Sequence, residues 1–201
     1  GFGPGGIGAI YQTQILADGT PGNPQLLVDV NTIGINVGTD PRSAALPSDA
    51  TQPNTDAGVF EQVGQRGIGG IELSADGRDL YVINMHEKKL HRINIGNPLK
   101  ASISATDVTG TWNIPNPNLP GTEWFPTCIE LREKKYYIGG VTSKETSGPH
   151  NIADTANLRA LIYEFDPATN TFTEVLRFPL TYRRGFTNAD YRYEFRNNYW
   201  S

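Results

Sequence analysis

The stretch Gly67–Ile95, GIGGIELSADGRDLYVINMHEKKLHRINI, constrains the fold more than any other part of the chain. Three short apolar-alternating runs are separated by two tight polar turns, which predicts strands over Ile68–Ser74, Leu80–Met85 and Leu90–Ile95. Asp76-Gly77 marks the first turn, because glycine supplies the positive φ that a tight hairpin needs. In the third run Leu90, Arg92 and Asn94 face one way, and His91, Ile93 and Ile95 the other. Residues Ser102–Val108 are expected to add a fourth strand, with 109–123 a Pro/Asn-rich loop.

The start of this stretch recurs. Ile71-Glu72-Leu73 returns as Ile129-Glu130-Leu131, an offset of 58. Tyr81-Val82-Ile83 corresponds to Tyr137-Ile138-Gly139, an offset of 56, because the intervening REKK turn is two residues shorter. The second unit is predicted to hold strands over Trp124–Leu131, Tyr136–Thr142, Arg159–Phe165 and Thr171–Phe178, with Asp166–Asn170 a turn.

A repeat of four short antiparallel strands is the pattern of a propeller blade, a small sheet that becomes stable by stacking on neighbours. The expected fold is therefore all-β: a β-propeller of four-stranded blades whose ring is incomplete within these 201 residues. The expected division is a partial blade over 1–30, an insertion over 31–66, blades over 67–108 and 124–180, and a further blade or linker over 181–201. An irregular β-sandwich is the alternative. Its strands would have no reason to repeat IEL…YVI with matching flanks.

The remaining segments fit this plan. Ile7–Leu16 and Gln25–Val30 read as a hairpin around the turn Ala17–Pro24, with Leu26, Val28 and Val30 facing one way. The segment 31–66 is rich in Pro, Ser, Thr, Asp and Asn and reads as an exposed insertion. A net charge of -4 with no basic stripe argues against nucleic-acid binding. The single cysteine, Cys128, excludes an internal disulfide and, lying in an apolar run, reads as a small buried hydrophobe. No apolar run approaches the ~20 residues of a membrane helix. A start at GFGPGG without Met implies processing or truncation.

The candidate site residues follow from the placement of the long segments. The turns inside the strand pairs are short. The elaboration falls on 31–66, 109–123 and 143–157, which a propeller displays on one face, where binding usually sits. These loops could equally cover the channel or pad a domain interface. Arg66, Trp124 and Phe125, and Arg183 with Arg184, fall just before predicted innermost strands and suit a glycan or peptide ligand, although packing is the commoner role of Trp124 and Phe125. His150 joins them on the long loop, near Ser147, Asp154 and Asn157, where a catalytic triad would be a matter of space and not of sequence. Asp40, Asp49, Asn54 and Asp56 are oxygen donors close enough in sequence to hold Ca²⁺. His86 and His91, five residues apart across a hairpin, could suggest a metal pair, but one sits in a turn and the other on a strand, so surface and packing roles are expected.

SADGRDLYVIN followed by LHRINI resembles bacterial β-propeller families with YVTN-like or NHL-like repeats. LIYEFDPATNTFTEVL resembles the outer strand pair of kelch-like blades. The order of these motifs over roughly residues 64–185 is similar to the propeller region of large bacterial surface proteins, which often carry serine-aspartate-repeat-type B or Ig-like domains. That resemblance implies a secreted or cell-surface protein and carries over no catalytic residues. The expected function is a non-catalytic module for binding, adhesion or assembly with other domains or chains that complete the ring. The competing expectation is a metal-dependent propeller hydrolase or lactonase similar to gluconolactonases. That chemistry needs acidic and amide side chains converging on the central channel, whereas Ile71 and Ile129 on the inner strands are apolar.

Overall fold

The computed structural model describes residues 6–41, 62, 64–143 and 157–180, and the chain forms two compact units, Gly1–Trp112 and Asn113–Ser201. The described residues are all-β. In the first unit β1 (Ala9–Gln12) pairs with β2 (Gln25–Asp29), and β3 (Ile68–Leu73), β4 (Asp79–Asn84), β5 (Lys89–Asn94) and β6 (Val108–Asn113) form a four-stranded sheet. In the second unit β7 (Glu123–Arg132), β8 (Lys135–Ser143), β9 (Arg159–Asp166) and β10 (Thr171–Pro179) form another. Each four-stranded sheet keeps its strands in chain order.

The two sheets share a register. Ile71 lies opposite Val82 and Ile129 opposite Ile138, while His91 lies opposite Val82 and Tyr163 opposite Ile138. Sequence repeat and strand pairing therefore agree residue by residue. The turns behave as their sequences require. Ser74 Oγ accepts from the Asp79 amide at 2.9 Å and donates to Asp76 Oδ1 at 2.6 Å, closing the turn through Gly77 at φ +68°. In the shorter copy Glu133 and Lys134 both adopt positive φ, as a two-residue hairpin loop demands.

The first sheet is covered on both faces. Leu80, Val82, Ile93 and Ile95 pack with Ile10 and Val28 of the β1–β2 hairpin and with Val30, Ile33, Ile35 and Val37 of the chain that follows it. On the opposite face Tyr81, Ile83 and Leu90 are buried, and Trp112 stacks on Tyr81 with the Arg92 guanidinium 5.7 Å above its ring. The second sheet buries one face: Trp124, Ile129, Tyr136, Ile138, Leu161, Tyr163 and Phe165.

Four local expectations are corrected. The segment 31–66, expected to be an exposed insertion, buries Ile33, Ile35 and Val37 in the core at its start, because the chain leaving β2 lies against the first sheet. The fourth strand of the first sheet is Val108–Asn113, within the segment expected to be loop, and Ser104–Asp107 upstream is a capped 3₁₀ turn. There the Asp107 carboxylate accepts from the Ser104 amide and pairs with Lys100, which competes with strand formation. Leu26 is exposed and does not share the buried face of Val28, because a bulge at Leu27 pairs Tyr11 with Leu26 and Ile10 with Val28. Cys128 is exposed, not buried. A bulge at Thr127 shifts the alternation, so Pro126 and Cys128 point to opposite faces.

Candidate functional site

One end of the first sheet gathers chain segments that are far apart in sequence. The centre is Asn84, the last residue of β4, fully buried. Its Nδ2 donates to the Asn36 carbonyl at 2.8 Å and to Glu87 Oε2 at 3.1 Å. Its Oδ1 accepts from the His86 and Glu87 amides at 3.0 and 3.1 Å. A buried amide with its hydrogen-bonding capacity filled in this way holds its neighbours in one arrangement. Here it fixes both the 85–88 turn and the start of the insertion.

Around this key, Gly67 donates to the Val37 carbonyl and accepts from the Met85 amide. Gly67 sits at φ +89°, where a Cβ would stand 3.2 Å from the Ile7 carbonyl oxygen. Gly38, at φ +82°, lies under the His86 ring, 3.0 Å from where its own Cβ would be. Arg66 Nη1 donates to the Thr39 carbonyl at 3.1 Å, and its stem passes beside Gly38. The result is an exposed imidazole, a half-buried guanidinium and the half-buried Asp40 carboxylate on a rigid strand end. Glu87 and Lys89 form an ion pair at its rim.

The other predicted residues are placed as follows. Trp124 is buried and meets Tyr163 edge-on at 5.8 Å, and Phe125 is buried beside it in sequence, so both contribute packing in the second unit. His150, Arg183, Arg184, Asp49 and Asp56 lie outside the described residues, as do Asn54, Ser147 and Asp154. Asn157 donates through Nδ2 to the Pro120 carbonyl. His86 and His91 do not converge: His86 is exposed in its turn, while His91 is buried in the sheet with Nδ1 3.1 Å from Thr111 Oγ1. Among the described residues no three His, Cys, Asp or Glu side chains stand together as a metal site. No helix among them is long and apolar enough to cross a membrane. Asn84, Gly38 and Thr39 were not singled out from sequence. The only signal was Asn84 closing the YVIN run.

No family model matches the chain. Two curated proteins of Dictyostelium discoideum are similar to it. Colossin-A is 28% identical over 202 residues, covering 99% of this chain and 2% of that protein. Colossin-D is 33% identical over 151 residues, covering 73% of this chain and 14% of that protein. The relatives are colossins, not bacterial surface proteins. This overturns the expected kinship with bacterial proteins carrying serine-aspartate-repeat-type B or Ig-like domains, and with it the bacterial adhesion reading. The motifs behind that expectation are short strand-and-turn patterns, which are not tied to one lineage.

The chain spans only a small fraction of either relative's length. Among solved structures, a Bacteroides fragilis protein provisionally described as a 6-phosphogluconolactonase matches with a TM-score of 0.41 and 14% identity, over 86% of this chain and 52% of that one. A similarly described Bacteroides uniformis protein gives 0.37 and 13% over the same shares. Likenesses of this size carry neither fold nor activity to the present chain.

Proposed function

We propose that the chain is part of a β-propeller within a longer polypeptide, and that it serves as a non-catalytic module for binding or assembly. The propeller reading is supported by two sequential four-stranded sheets with matching register, the first of them buried on both faces. We place the module in a secreted or cell-surface polypeptide, which protease accessibility on intact cells would test.

The binding reading rests on one observation: Asn84 and Gly67 clamp two distant segments into a single polar surface at the end of β4. Arg66, His86 and Asp40 stand on that surface. Presenting polar groups on a rigid edge lowers the ordering cost of recognition. A guanidinium beside an imidazole suits a carboxylate or hydroxyl of a glycan or peptide.

Arg66→Ala and His86→Ala are expected to leave the fold intact and to abolish capture on an array of neutral and acidic oligosaccharides and peptides. A loss of at least about 10-fold per substitution corresponds to one charge-assisted hydrogen bond. Capture that survives both substitutions, or no capture by the unsubstituted chain, would contradict this assignment of the surface.

A further inference from the structure

The second sheet leaves one face open. Register places Phe125, Cys128, Val141, Ile162, Leu176 and Phe178 on it, opposite the face that buries Trp124 and Ile138; of these Phe125, at the start of β7, is already buried. Val141 is 38% exposed, Leu176 45% and Phe178 41%, and Cys128 is exposed among them. A polar border closes one end, where Lys135 and Tyr137 both bond the Glu164 carboxylate. An apolar centre with a satisfied polar rim marks a surface meant to be covered.

The first sheet shows what the equivalent face becomes when covered. Ile83 pairs with Leu90 as Gly139 pairs with Ile162, so Leu90 and Ile162 hold equivalent positions. Leu90 and Ile83 are 0% exposed and Tyr81 3%. Chain order identifies the occupant. The β1–β2 hairpin, which precedes the first sheet, covers the face bearing Leu80 and Val82. The open face of the second sheet is the equivalent of the other face of the first, which bears Tyr81, Ile83 and Leu90.

Resting on the propeller reading above, we propose that the Val141–Leu176–Phe178 face is a docking surface for a further four-stranded sheet of the same repeat. That sheet is supplied by the polypeptide following β10. The colossin relatives, of which the chain matches 2% and 14%, have ample length for such repeats. A Gly at position 139 and small side chains at Cys128 and Ala160 let an incoming sheet approach closely.

Cys128 is the chain's single cysteine and lies on this face, so its alkylation reports coverage directly. In the 201-residue chain Cys128 is expected to react with iodoacetamide as an exposed thiol. In a polypeptide extended by the natural sequence of one further repeat, peptide-mapped alkylation of Cys128 is expected to slow by at least about 10-fold, as burial behind a folded interface requires. Val141→Asp with Leu176→Asp should restore the fast rate in the extended polypeptide and leave the 201-residue chain's unfolding midpoint unchanged.

An unchanged rate in an extension that hydrogen exchange shows to be a folded sheet overturns the docking surface while the propeller reading stands. Protection by an extension with no new strands overturns both. Protection already in the 201-residue chain, at concentrations where it sediments as a dimer, assigns the face to a second copy and overturns the proposal.

Discussion

Gly140→Ala is expected to destabilise the second unit by of order 3 kcal/mol, lowering its unfolding midpoint by roughly 10–20 °C for a unit of this size. A Cβ at this position would stand 2.3 Å from the Phe125 carbonyl oxygen, 2.7 Å from the Pro126 Cα and 2.7 Å from Trp124 Cη2. Two of these are backbone atoms of the neighbouring strand, so relief requires β7 to move off β8 and not merely a rotamer change. Gly140 sits opposite Pro126, beside the bulge at Thr127, where the pairing is already interrupted. Its backbone φ is ordinary, so the cost is steric and not conformational.

Gly139→Ala is the control. Its Cβ would meet the Cys128 sulfur at 2.7 Å, and that side chain can swing toward solvent. Thermal unfolding followed by near-ultraviolet circular dichroism of Trp124 and Tyr163 separates the two variants. A Gly140→Ala loss below about 0.5 kcal/mol would contradict the close approach of β7 and β8.

Acidification from pH 7 to pH 4.5 is expected to cost the first unit on the order of 2–3 kcal/mol through His91 alone. Burial disfavours the imidazolium and pushes the His91 pKa down to about 4. Glu87 opposes this in part and Lys89 adds to it. Nδ1 meets Thr111 Oγ1, while Nε2 is buried with no partner. The unfolded chain titrates near 6.5, so it takes up the proton first as pH falls. Stability from this group is complete above about pH 6.5 and is lost as pH drops toward about 4.

His91→Gln keeps a polar partner for Thr111 and cannot titrate. Its urea-unfolding free energy should therefore fall less between pH 7 and 4.5 than that of the unsubstituted chain, by the same roughly 2–3 kcal/mol. Asp107 does not confuse the comparison. Hydrogen bonds from Lys100 and Ser104 hold its pKa at about 2, so its contribution is lost only below that window. Equal pH slopes in the two chains would contradict the buried neutral His91.

Alternation and turn chemistry made most of the strands readable in advance. Asp76-Gly77 and the REKK turn stop their strands within a residue or two of the observed ends. The IEL…YVI match correctly anticipated the shared register of the two sheets. β6 was missed because Thr-Gly-Thr-Trp-Asn has no apolar alternation. What holds it is Trp112 folding back over Gly110, within 2.1 Å of where a Cβ would be, to reach Tyr81.

The exposure of Cys128 was missed because one bulge residue inverts every later side chain on a strand. The site was only partly readable. Arg66 could be placed before a strand, but the role of Asn84 depends on a carbonyl 48 residues away, a contact that no local pattern encodes. Trp124 and Phe125 carry the same apolar signal whether they face a ligand or a core; both are buried, Trp124 on the core face of the second sheet and Phe125 on the other, opposite Val141.

On the propeller reading proposed above, these two sheets are successive blades of a larger ring. A crystal or cryo-electron microscopy structure of the longer natural polypeptide tests it most directly. The expected result is β7–β10 stacked between two other four-stranded sheets around a common axis, with Val141, Leu176 and Phe178 buried against the sheet that follows. Strands of the second sheet paired face to face in a two-layer sandwich, or an open Val141 face in the complete polypeptide, would contradict it.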